Sequence, residues 1–138
     1  MRKIDKVIIH CSATPPSMDI GADEIRTWHV RDNKWSDIGY HDIIKRDGSV
    51  EAGRPIDRAG AHCKGQNAHS IGICLVGGVD KNGNPENNFT DNQFKSLRRL
   101  IRMYKAQYKG AQVHGHREFA NKACPSFDVQ EWLKSENI

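Results

Sequence analysis

Seven histidines and four cysteines are spread over 138 residues, and a few of them stand where they could do chemistry. His10 closes the β-branched run Val7-Ile8-Ile9, so a rigid strand would deliver it to a loop-lined cleft. His114-Gly115-His116 follows a second short apolar segment, and Cys124-Pro125 comes eight residues after His116. A catalytic zinc takes three protein ligands from His, Cys and carboxylate and keeps a fourth position open. His10, one of His114 or His116, and Cys124 could supply that set from three separate segments. Spacing does not choose between His114 and His116, because alternate residues on a strand share a face. A packed imidazole or a buried thiol is the ordinary alternative for each. No His-Glu-x-x-His run occurs, so the paired helical ligands and glutamate base of many metalloproteases are missing. Glu118 is the rival candidate for a base.

These side chains need elements to hold them. Val7 to Cys11 reads as a buried strand stopped by Ser12-Ala13-Thr14-Pro15-Pro16. Ala22 to Arg31 reads as a helix with Ile25, Trp28 and His29 inward. Tyr40 to Lys45 and Ser49 to Ala52 flank Asp47-Gly48, a hairpin signal. Ser70 to Val76 is apolar on both faces and reads as a central strand, followed by a long loop from Gly77 to Asn88. Thr90 and Gln93 form a capping box for a helix whose stripe is Phe94, Leu97, Ile101, Tyr104 and Tyr108. Ala111 to His114 is a short strand candidate, and Asp128 and Glu131 cap a last helix with Val129, Trp132 and Leu133 inward. Without repeats or linkers, the expectation is one α/β domain over residues 1–138, a central mixed β-sheet flanked by α-helices.

Composition narrows the partners. Lys and Arg outnumber Asp and Glu by 21 to 17, a net charge of +4 that suits any polyanion and singles out none. The basic face of the long helix (Lys95, Arg98, Arg99, Arg102, Lys105, Lys109) reads first as a solvated face. It lacks the interleaved aromatics that single-stranded nucleic acid stacks on, so no direct nucleic-acid partner is expected. Apolar runs such as Val7-Ile8-Ile9 are far short of the roughly 20 residues of a bilayer span, so membrane insertion is not expected. No apolar leader follows the basic start, so cytoplasmic synthesis without a signal peptide is expected. Cys11, Cys63, Cys74 and Cys124 contain no Cys-x-x-Cys pair and are expected as free thiols.

Several blocks resemble, in order, those of the type-2 N-acetylmuramoyl-L-alanine amidases, the family that includes the peptidoglycan-recognition proteins. They are Ile9-His10-Cys11-Ser12-Ala13-Thr14, Gly39-Tyr40-His41, Asp47-Gly48-Ser49-Val50-Glu51-Ala52-Gly53-Arg54, Ala61-His62, Ser70-Ile71-Gly72-Ile73 and Gly115-His116-Arg117-Glu118. Cys74-Leu75-Val76-Gly77-Gly78 and Lys122-Ala123-Cys124-Pro125-Ser126-Phe127-Asp128 are similar to phage members in particular. The resemblance runs from about Val7 to Leu133.

It implies that His10, His116 and Cys124 hold Zn2+, and the Gly-His-Arg block is what selects His116 over His114. Tyr40 matches the family's active-site tyrosine, and Lys122 matches a lysine two residues before the cysteine ligand. The implied reaction is hydrolysis of the amide between N-acetylmuramic acid and L-alanine of peptidoglycan, by a monomeric phage or prophage endolysin acting on the wall after release. His62 and Asn67 lie in a segment similar to the family's substrate-side loop; Trp35 and Arg54 are further candidates for groove contacts. Two other outcomes belong to the same family. One is a non-catalytic peptidoglycan-binding module, which retention of all three ligand positions argues against. The other is inhibition of a phage-type RNA polymerase, for which Met1 to Lys6 is a shorter arm than the inhibitory member carries.

Overall fold

Residues 2–138 are described by a computed structural model; Met1 lies outside the described residues. Val7-Ile8-Ile9 forms the middle of β1 (Lys6–Cys11), with all three side chains wholly buried. β2 (Asp42–Ile44), β3 (Val50–Ala52), β4 (Ser70–Leu75) and β5 (Gln112–Gly115) complete one sheet in the order β3-β2-β4-β1-β5. β1 is parallel to both β4 and β5, β2 is parallel to β4, and only β3 runs antiparallel. The sheet is therefore mixed, as expected.

The expected hairpin forms around Asp47-Gly48, but its strands are shorter than Tyr40–Lys45 and Ser49–Ala52. Tyr40 and His41 precede β2, and the His41 N–H donates to the Gly72 carbonyl at 2.9 Å. The last strand begins and ends one residue later than the expected Ala111–His114, which places Gly115 in β5 and His116 just beyond it.

Alternation along the strands builds two cores. Val7, Ile9, Ile44, Ile71, Ile73 and Leu75 face α2 (Asp91–Gln107) and α3 (Val129–Glu136), where Leu97, Leu100, Ile101, Tyr104, Val129 and Leu133 close over them. Each such aliphatic side chain contributes roughly 1.5–3 kcal/mol on burial. Ile43, Cys74 and Val76 join Ile20, Ile25 and Ile38 on the other side, beneath α1 (Ala22–Asp32). Tyr40 packs in this second cluster, so it does not share a face with Ile44. On the outer face of α2, Arg99, Arg102 and Lys105 are exposed, while Arg98 pairs with Glu136 at 2.8 Å.

Gln93 does more than complete the capping box. Its side chain is fully buried, accepts the Thr90 N–H at 2.9 Å and donates to the carbonyls of Ile44 at 3.1 Å and Val76 at 2.9 Å. One amide thus ties the start of α2 to the ends of two parallel strands. Gln93→Ala strands those buried groups, each worth about 1–3 kcal/mol when left unpaired. The expected result is a clear fall in urea midpoint with an unchanged m-value.

Candidate metal centre and substrate groove

The parallel register brings the candidate ligands together. His10 sits opposite Cys74, and Ile9 opposite Gly115, so His116 emerges beside His10 at the carboxyl ends of adjacent strands. Crevices outside strand carboxyl ends are where open α/β sheets bind ligands. Cys124 arrives on a loop pinned back to His116's turn: the Arg117 N–H donates to the Cys124 carbonyl at 2.8 Å. Two residues on, Ser126 Oγ donates to the Gly78 carbonyl at 2.7 Å. Gly78 itself must lack a side chain, since a Cβ there would stand 2.6 Å from Cys11 Sγ on backbone at φ +102°.

His10 Nδ1 lies 3.1 Å from His116 Nδ1 and 4.0 Å from Cys124 Sγ. All three candidate ligand atoms fall within 4.8 Å of one another. Bonds of about 2.0–2.3 Å in a tetrahedron place ligand atoms about 3.3–3.7 Å apart, so the set fits Zn2+ after small movements. His114, the alternative to His116, is elsewhere: its Nδ1 lies 2.8 Å from Glu118 Oε1 and its Nε2 lies 3.3 Å from Gln112 Oε1. Glu118 also accepts the Gly115 N–H and reaches Gln130 Nε2 at 3.2 Å, a structural clasp rather than a base at the cluster.

Electrostatics keep the imidazoles able to ligate. Burial, then neighbouring His62, His116 and Lys122, hold His10 well below the ordinary histidine pKa. Burial and Lys122 lower His116 too. Both rings are therefore neutral at pH 7, as a metal ligand must be. Contact with the Cys11 thiol and burial raise Cys124, while the Cys11 N–H, 3.2 Å from Cys124 Sγ, favours its thiolate. A bound cation would complete that ionisation.

Tyr40 stacks obliquely on His10 with ring centroids 5.1 Å apart. Burial, then the nearby thiols of Cys74, Cys124 and Cys11, push its hydroxyl well above the usual phenol pKa. It is a proton-bearing donor at neutral pH. Lys122 is exposed at the rim of a groove of about 620 Å³, together with Trp35, His62, Lys64, Asn67, His116 and Phe119. Among the described residues, no carboxylate lines this groove. Asn67 is on its wall, but its Oδ1 accepts the backbone N–H groups of His62 and Cys63 at 2.9 Å each, bracing the loop. Arg54 is not in the groove; it is buried and donates to the carbonyls of Ile38, Ala59 and Asp37. Lys64 lies between His62 and Asn67 in the segment similar to the family's substrate-side loop without being a candidate itself, and Phe119 carries no motif; the fold puts both on the groove wall.

Two further imidazoles brace the site from below. His41 Nδ1 accepts the Gly72 N–H at 3.0 Å, and its Nε2 donates to the Arg58 carbonyl at 2.8 Å. Burial pushes His41 down to about 4 and His62 down to about 3. The unfolded chain takes up these protons near 6.5 and the folded chain does not, so stability is full above that pH. It is lost as pH falls through the window, by up to about 1.4 kcal/mol per pH unit for each ring. Urea midpoints in EDTA should drop steadily from pH 7 to pH 5; a flat profile would contradict two buried neutral imidazoles.

Comparison with known proteins gives the family. A family model described as N-acetylmuramoyl-L-alanine amidase matches residues 1–127. The endolysin of Escherichia phage T7 is 51% identical over 134 residues, covering 97% of this chain and 88% of that one. The endolysin of Klebsiella phage KP32 is 50% identical over 137 residues, covering 99% and 90%. Among solved structures, the N-acetylmuramoyl-L-alanine amidase LysC from Clostridium intestinale superposes with a TM-score of 0.85 at 26% identity, covering 99% of this chain and 87% of that one. Bumblebee PGRP-SA superposes with a TM-score of 0.81 at 29% identity, covering 97% and 82%. With the family model spanning nearly the whole chain and two phage endolysins about half identical to it, this chain belongs to the N-acetylmuramoyl-L-alanine amidase family.

Proposed function

We propose that this amidase is zinc-dependent and serves as a phage or prophage endolysin, with His10, His116 and Cys124 holding the ion and Tyr40 and Lys122 acting on the substrate. The observation that carries the metal assignment is the convergence of three ligand-type atoms within 4.8 Å at the mouth of a groove. When bound, Zn2+ supplies Lewis acidity toward the scissile carbonyl and lowers the pKa of water toward neutrality.

The chain's own residues do the rest. The groove between Trp35, Lys64 and Phe119 takes the stem peptide, whose acidic groups meet two lysines and no opposing carboxylate. Lys122 Nζ at the rim stabilises negative charge developing on the amide oxygen. Tyr40 Oη, kept protonated by its surroundings, donates a hydrogen bond in the attacked region and can pass a proton there.

The test is mass spectrometry of purified peptidoglycan digested with the protein, with and without chelator. Free L-alanine amino termini that appear only without chelator are the expected result. Cleavage at a glycosidic bond, or undiminished cleavage in chelator, would overturn it.

A further inference from the structure

A buried polar chain reaches the cluster from behind and has no part in the mechanism above. His10 Nε2, the ring nitrogen turned away from His116 and Cys124, lies 2.8 Å from His62 Nδ1. His62 Nε2 lies 3.2 Å from Ser70 Oγ, which in turn lies 2.7 Å from the Gln66 carbonyl oxygen. His10, His62 and Ser70 are 1%, 7% and 0% exposed, so each polar atom needs its partner within the protein.

The last link sets the direction of all the others. A carbonyl can only accept, so the Ser70 hydroxyl spends its single proton on Gln66 and turns a lone pair to His62. His62 then donates from Nε2, and a neutral ring that donates there can only accept at Nδ1. His10 must supply that hydrogen bond from Nε2, which leaves its Nδ1 without a proton. The reverse polarity would put two oxygens 2.7 Å apart with no proton between them.

We infer that His62, Ser70 and the Gln66 carbonyl form a one-way hydrogen-bond chain that locks His10 in the Nε2–H tautomer, its Nδ1 lone pair aimed at the cluster. His62 and Ser70 are positioning residues. With Zn2+ as the occupant proposed above, on which the functional side of this inference rests, the chain presets one ligand before the ion arrives.

The fold makes room for the chain. A Cβ on Gly72 of β4 would come within 2.6 Å of His62 Cγ, so only glycine lets the ring settle against the sheet. His62 meets His10 edge-on at a centroid distance of 4.8 Å and His41 at 5.8 Å. The same polarity dictates the metal-free cluster. His10 Nδ1 can only accept there, so His116, 3.1 Å away, donates from its own Nδ1. Two neighbouring histidines then carry opposite tautomers.

Nitrogen NMR of the imidazoles in EDTA-treated protein reads this directly. Nε2–H for His10 with Nδ1–H for His116 is expected; Nδ1–H on His10 would overturn the inference without any variant being made. Zinc competition against a chromophoric chelator supplies the second readout. Ser70→Ala and His62→Ala should weaken zinc binding about 10–100-fold, while His62→Gln, which keeps one donor and one acceptor, should recover part of the loss. Wild-type affinity in both alanine variants would overturn the inference. If the unaltered protein itself bound no zinc, the zinc reading would fall, and the tautomers alone would decide the chain.

Discussion

Replacing Cys124 with alanine is expected to abolish both metal binding and amide hydrolysis while leaving the fold in place. The side chain belongs to neither buried cluster, so its loss removes little packing. What it removes is the sulfur donor beside His10 and His116, the one a bound cation would ionise to thiolate. Losing a hydrogen-bond partner behind a ligand costs roughly 10–100-fold in metal affinity, and losing the ligand itself must cost more. His116→Ala should behave alike, because its Nδ1 is the atom facing His10. His114→Ala is the control: it breaks a contact with Glu118 and should keep about one zinc per chain. Metal content by atomic spectroscopy and turnover on cell walls would be measured side by side. Full turnover in a metal-free Cys124→Ala preparation would end the zinc reading. Exchange of outcomes between His114 and His116 would move the ligand by two residues.

How much of this was legible beforehand depended on whether the signal was local. β1 announced itself because three β-branched residues followed by Ser-Ala-Thr-Pro-Pro leave little alternative, and His10 came with it. The Thr90–Gln93 capping box was read correctly for the same reason: both partners lie within one helical turn. The reach of the Gln93 amide to Ile44 and Val76 could not be read, since it depends on where two distant strands end. His62 was found only as part of a loop, and its link to Ser70 and His10 needs the loop laid over Gly72. Spacing left His114 and His116 equivalent. β5 separates them by ending at Gly115, so His114 stays on the strand with Glu118 while His116 turns into the cluster. Arg54 is a candidate groove contact in the sequence with no local signal behind it. In the fold its guanidinium is consumed by three backbone carbonyls.

Tyr40→Phe and Lys122→Ala should separate chemistry from metal binding. Neither atom removed is a candidate ligand, so both variants should hold zinc as the unaltered protein does. Phenylalanine keeps the ring against His10 and the cluster under α1, and only the hydroxyl is lost. Lys122 is exposed, so truncation leaves no cavity. The loss in turnover expected for a proton-bearing donor or an oxyanion partner is about 10²–10⁴-fold. It should fall on kcat more than on KM, because these contacts tighten as charge develops on the amide oxygen. Lys122→Arg tests whether charge alone suffices. A planar guanidinium carries the same charge with a different reach, so recovery of most of the rate would mean a field effect rather than a point contact at Nζ. Near-normal kcat in Lys122→Ala would reduce it to a groove-rim lysine beside Lys64. Loss of zinc in Tyr40→Phe would show instead that its hydroxyl organises the thiols around Cys124, and its place in the chemistry would have to be given up.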